Sequence, residues 1–150
     1  MVQVESKTGR VHRPPYELYM SFTDLRNLVA MLPEDKKKDV TADYDTLQAS
    51  VQGMSIGVKV HERVPYSRLE LVDYGAPFAF HIVLHFDGIP DEPAKTDFHI
   101  SLEADLNFMM KMLLGSKLQG VLDKIVDSLV DVSLGKMPEG FDPSKFGASV

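Results

Sequence analysis

The chain contains no cysteine. That excludes disulfides, thiolate metal ligands and a cysteine nucleophile. It suits a reducing compartment, so a cytoplasmic location is expected. Long apolar runs are also missing. The opening MVQVESKTGR has no apolar stretch of the kind a signal peptide needs, and no run reaches the ~20 residues that span a bilayer. Neither a leader nor an integral membrane segment is expected. Basic residues are the minority, 16 against 22 acidic, for a net charge of -6. A phosphate backbone would be repelled on average, and no basic stripe with interleaved aromatics offsets this, so no nucleic-acid partner is expected. The one basic run, Lys36-Lys37-Lys38, lies between Glu34-Asp35 and Asp39 and reads as a solvated face. The GxGxxG, Walker, GxSxG and HExxH signatures are absent, and no cofactor is expected.

What is present is ordinary for one globular domain: 150 residues, 44% hydrophobic and 25% charged, enough to bury a core. Val2 to Val11 reads as a strand. Pro14-Pro15 stops it and opens a helical segment, Tyr16 to Leu32, with apolar residues at Leu18, Phe22, Leu25, Leu28, Val29 and Leu32. A split is expected near Thr23-Asp24, where either side chain can cap a second short helix. Pro33-Glu34-Asp35 ends the helical part. From Lys38 to Ala104 the period falls to two, and turn signals divide the stretch into six strands. Gly53 and Gly57 read as turn and bulge positions. Asn107 to Leu134 returns to helical spacing over a length of about 40 Å. Residues 135–150 form a Gly/Pro-rich, non-periodic extension, expected to be flexible.

Six strands with one apolar face need a cover, and the last helix supplies it. The predicted class is α+β: a curved antiparallel sheet wrapped around a long C-terminal helix. The element order, the segment SFTDLRNLVAMLPED and the entry ISLEADLNFMMKMLLGSKLQGVLDKIVDSLVD resemble the START-like (SRPBCC, or polyketide cyclase/dehydrase and lipid transport) superfamily, nearest to small bacterial members of unassigned function. The resemblance covers roughly residues 2 to 134. It implies a helix-grip fold and a deep apolar pocket between sheet and helix, with 1–134 as the domain. It implies no reaction and supplies no catalytic set.

The strand parity defines an inward set: Met54, Ile56, Val58, Val60, Leu69, Leu71, Phe78, Phe80, Ile82, Leu84, Phe86, Phe98, Ile100 and Leu102. It has no acid, base or amide. From this set and the helix, Ile56, Val58, Val60, Leu71, Phe78, Phe80, Ile82, Leu84, Phe98, Ile100, Leu102, Met112, Leu118 and Leu122 are expected to line a pocket, unless close packing fills it. Polar rim candidates are Tyr16, Tyr19, Asp73, Tyr74 and Asn107. The leading expectation is a carrier or sensor for a small apolar or amphipathic ligand, monomeric or dimeric. A cyclase or dehydratase needs a positioned proton donor or acceptor, such as Tyr16 or Tyr19 with Asp73 or Tyr74. A third alternative is a protein-interaction module using the outer surface or the tail, which carries Phe141 and Phe146. On the outward parity, His61, His81, His85 and His99 share a face with Glu70 and Asp97. Glu70 is expected near His61 and His81, and Asp97 near His85. Cross-strand charge pairs explain such a face better than zinc, so no metal is assigned.

Overall fold

Pro14 and Pro15 open the first helix in the computed structural model, which describes residues 1–30, 37–51 and 53–136. Pro14 is the N-cap and Pro15 the first helical residue of α1, Pro15–Thr23, where a missing N–H costs nothing. Asp24 divides the segment as expected: its Oδ1 accepts the Arg26 N–H at 3.0 Å and starts α2, Arg26–Ala30. The expected helix stop at Pro33-Glu34-Asp35, Leu32, Lys36 and the extension from residue 137 onward, with Phe141 and Phe146, lie outside the described residues.

The remaining elements are β1 (Val2–Glu5), β2 (Gly9–Val11), β3 (Val40–Ala42), β4 (Thr46–Val51), β5 (Met54–Val64), β6 (Arg68–Asp73), β7 (Phe80–Ile89), β8 (Glu92–Ala104) and the long helix α3 (Phe108–Ser133). All pairings are antiparallel, in the order β1-β8-β7-β6-β5-β4-β3, with β2 also on β8. The α+β helix-grip architecture is therefore present.

Three details depart from the sequence reading. The first strand is two, because Glu5 pairs with Ser101 but Gly9 with Phe98, leaving one residue extra at the break. Ser6 fills that break, donating its N–H to the Ile100 carbonyl at 2.9 Å and accepting the Ile100 N–H at 2.8 Å. The bulge of β5 falls between Val60 and Glu62, not at Gly57. Gly57 is instead a close approach: a Cβ there would collide with the Tyr74 carbonyl oxygen and the Gln48 amide. Finally, the extra residue His61 reverses the parity beyond it, so Arg63 lies opposite Leu69 on the inner face. That face is therefore not free of bases. Arg63 makes four hydrogen bonds, donating to Thr23 Oγ1 at 2.7 Å, to the Thr23 carbonyl at 2.8 Å, to the Tyr44 carbonyl at 3.1 Å and to Asp45 at 2.8 Å. It ties the C-terminal end of α1 to the sheet, where a cation suits the helix dipole.

Core packing is uneven along the sheet. At one end Leu18 and Phe22 of α1, with Leu25 from the turn that follows, pack onto Leu69, Leu84, Phe86 and Phe98, all buried. Phe22 stacks on both Phe86 and Phe98 at 5.9 Å, and those two stack at 5.8 Å. Each such side chain contributes roughly 1.5–3 kcal/mol by leaving water. The C-terminal half of α3 is seated as firmly. Leu122, Val126, Leu129, Val132 and Ser133 are buried, and a Cβ on Gly9 would come within 2.6 Å of Val126 and 2.7 Å of Val130. Lys7 pairs with Asp127 at 2.7 Å, and the His12 N–H donates to Ser133 Oγ at 2.9 Å.

Candidate functional site

The N-terminal half of α3 is not seated in the same way. It starts at Asn107, whose Oδ1 accepts the Met110 N–H at 2.8 Å. From Phe108 to Val121 no residue is buried, although the stretch is mostly apolar. Beneath it lies a partly open cavity of ≈ 170 Å³, lined by Ile56, Phe78, Phe80, Ile82, Leu102, Ala104, Leu106, Leu114 and Leu118. Every lining residue is apolar. A dry apolar cavity of about 150 Å³ accommodates a benzene-sized molecule, so this space suits one ring or a short alkyl chain. A hollow of ≈ 260 Å³ over Lys38, Asp39, Thr41, Gln48, Ala49, Ser50 and Ser55 is larger. It is an open, mixed-polarity depression at the sheet edge and gives a ligand less enclosure.

Of the residues expected to line a pocket, Ile56, Phe78, Phe80, Ile82, Leu102 and Leu118 meet around this cavity. Leu71, Leu84, Phe98, Ile100 and Leu122 are buried in the filled core instead. Val58 and Val60 pack partly buried against that core. Met112 is 70% exposed and is not among the residues that line this cavity. Ala104, Leu106 and Leu114 complete the lining. Leu114 shares the helical face of Leu118, but Ala104 and Leu106 follow the last strong alternation and carried no pocket signal.

The polar rim residues do not converge. Tyr19 is buried edge-on against Phe86 at 6.4 Å and Tyr66 at 5.6 Å, at the α1 end. Asp73 accepts the Phe80 N–H at 3.0 Å, at the cavity end. Phe80 and Phe86 are six residues apart on β7, which is about 20 Å of strand. Tyr16 and Tyr74 are exposed, and the Lys59 ammonium sits 5.7 Å from the Tyr74 ring centre. Asn107 is occupied as the α3 cap. The tyrosine–carboxylate pair that a cyclase or dehydratase reading requires is not assembled.

His61, His81, His85 and His99 lie on the opposite face of the sheet. His81 Nε2 meets Glu70 Oε1 at 2.9 Å, as expected, and the His61 ring lies edge-on to His81 at 6.1 Å, while the residue opposite Glu70 on β5 is Glu62. His85, however, does not approach Asp97. Asp97 faces Asp87 across the ladder and pairs with Arg10 at 3.3 Å, while His85 stacks on His99 at 4.1 Å and shares a hydrogen bond with Ser101 Oγ at 3.0 Å. Among the described residues no group of three or more His, Asp or Glu side chains is placed to hold a metal ion.

Burial holds the His85 imidazole below its ordinary value, and the neighbouring His99 adds to this, against the opposing pull of Asp87 and Glu5. The unfolded chain therefore takes up this proton first as pH falls from about 6.5. Stability contributed by His85 is present above that value and is lost as pH drops through the lower folded value. Thermal melts should show a falling Tm below pH 6.5, and His85→Gln should flatten that limb. An unchanged slope in the variant would assign the loss to other groups. Glu70 acts later: its hydrogen bond to Arg68, helped by His81, holds its carboxyl below the usual range, so its contribution disappears only as pH falls below about 4.5.

Comparison with known proteins adds the fold and nothing finer. No family model matches the chain, and no curated protein matches it. Solved structures do. A protein from Thermobifida fusca determined by NMR is 14% identical, covers 93% of this chain and 99% of its own, and has a TM-score of 0.66. Norcoclaurine synthase from Thalictrum flavum is 12% identical, covers 88% of this chain and 86% of its own, and has a TM-score of 0.65. The fold is START-like. The Aha1 dimer from Colwellia psychrerythraea shares this fold, at 11% identity, covering 87% of this chain and 97% of its own, with a TM-score of 0.56. No helix among the described residues is long and apolar enough to cross a membrane.

Proposed function

We infer that this START-like protein binds a small apolar or amphipathic ligand, as carrier or sensor, in the cavity between the sheet and the N-terminal half of α3. The observation that carries this is the wholly apolar cavity under the one stretch of α3 that has no buried residue. A well-packed core has few voids larger than a water molecule. Here α1 and the lower half of α3 achieve such packing, and the upper half of α3 stands off. A ligand's apolar group would fill the space, and a polar end would remain at the open side. Proton-transfer chemistry finds no support in a lining without an acid, a base or a hydroxyl.

The reading is tested by calorimetric titration with propylbenzene and with octanoate, which place a ring or a short chain in the cavity. Wild-type protein should bind one of them saturably. Leu118→Glu puts an unpaired carboxylate into the apolar lining, where burial costs more than the ~1.4 kcal/mol that equals a tenfold loss of affinity. It should weaken binding more than tenfold while leaving the far core intact. Equal affinity in wild type and variant would rule the cavity out as the site.

A further inference from the structure

The upper half of α3 has a second apolar face that the cavity does not use. Phe108 is 80% exposed, Met109 and Met112 are each 70% exposed, and Leu113 is 61% exposed. With 3.6 residues per turn these four occupy one arc of the helix, away from Leu114 and Leu118. Ser116 and Gly120 continue the arc toward the middle of the helix. Lys111 and Lys117 stand on its two borders, and among the described residues neither side chain forms an ion pair. From Asn107 to Leu122 there is no acidic residue, in a chain with 22 acidic and 16 basic residues overall. Asp105 just before the helix and Asp123 just after Leu122 are the nearest carboxylates along the chain. Contiguous exposed apolar side chains on a protein of this size mark an interaction surface.

We propose that this face docks the protein on an anionic lipid surface, with Phe108, Met109, Met112 and Leu113 entering the headgroup boundary and Lys111 and Lys117 meeting lipid phosphates. An apolar arc bordered by lysines is the pattern of a helix that lies in the membrane interface rather than crossing it. The charge pattern favours lipid over a second copy of the chain. In a two-fold dimer the same face meets itself, so its lysines face their own copies, while the carboxylates that continue the arc, Asp123 and Asp127, are already held by the Lys7 N–H and ammonium. The overall charge of -6 does not prevent docking, because screening at physiological salt confines each charge to about 8 Å and the patch itself is cationic. The proposal rests on this outer face alone and holds whether or not the cavity carries a ligand.

The test is co-sedimentation of the full chain with vesicles of phosphatidylcholine alone and of phosphatidylcholine containing one-quarter phosphatidylglycerol. Two double variants are compared with wild type: Met109→Ser/Met112→Ser and Lys111→Gln/Lys117→Gln. All four positions are exposed, so unchanged melting is expected and is checked in parallel. Wild type should partition onto the anionic vesicles and be released by salt. Each lysine lost should weaken binding about fivefold, and the serine variant should lose more than tenfold. Wild-type protein that ignores anionic vesicles, or variants that bind as well as wild type, would overturn the proposal. So would a concentration-dependent dimer in sedimentation velocity that the same variants abolish, since a second copy would then own the face. Binding that emerges only after Phe141→Ser/Phe146→Ser would also overturn it, by assigning the face to the chain's own C-terminal residues.

Discussion

Phe98→Ala is expected to destabilise the fold by about 3–5 kcal/mol, the range for deleting a fully buried aromatic side chain. Phe98 is 1% exposed and lies in a stack with Phe22 and Phe86. Its loss opens a hole at the one place where α1, β7 and β8 share a single aromatic layer. Rings on three separate elements cannot collapse together to refill it, which places the cost high in the range. Domains of this size have total stabilities of roughly 5–15 kcal/mol, so urea unfolding should reveal the change as a large drop in midpoint. A loss under about 1 kcal/mol would mean that this end of the sheet is loosely filled. The same substitution at Phe78, which is only partly buried at the cavity, should cost less.

Gly57→Ala should be the most damaging change that adds a single methyl group. The new Cβ would meet the Tyr74 carbonyl oxygen, and backbone cannot swing aside as a flexible side chain can. The Tyr74 N–H also donates to the Gly57 carbonyl at 2.9 Å, so separating the two segments sacrifices that bond as well. Overpacking of this kind costs about 1–3 kcal/mol, and the backbone obstacle points to the upper end. Gly120→Ala is the natural control. Nothing lies within 4 Å of a Cβ there, and an exposed helical position should gain about 0.5–1 kcal/mol from the change. Opposite signs at the two glycines are the expected result; equal effects would contradict the close approach at Gly57.

Strand periodicity and helical spacing made most of the architecture legible. The run Phe80–Phe86 keeps an apolar residue at every second position, Pro14-Pro15 fixes a helix start, and Asn107 opens the last helix one residue before its first helical position. The bulge at His61 was harder to see, because one inserted residue leaves only the adjacent polar pair His61-Glu62 as its trace, and Arg63 changed faces as a result. The site was half legible for a related reason. Parity says which face a side chain occupies but not what comes to lie over it. Leu84, Phe98 and Ile100 share the inner face with Phe80, Ile82 and Leu102, yet only the second group borders the cavity. The difference is set by where α1 lands and by how far α3 lifts, both of them tertiary outcomes. Met112, expected to line the pocket, lies exposed with Met109 on the outside of α3 instead, on the face turned away from Leu114 and Leu118.

The most direct test of an apolar ligand site under α3 is methyl NMR during titration with the better of the two probes, propylbenzene or octanoate. The methyl groups of Ile56, Ile82, Leu102, Leu114 and Leu118 should shift together and saturate, while those of Leu69, Leu84, Ile100 and Leu129 in the filled core stay in place. Shifts confined to the core set, or to residues outside the cavity, would contradict the site.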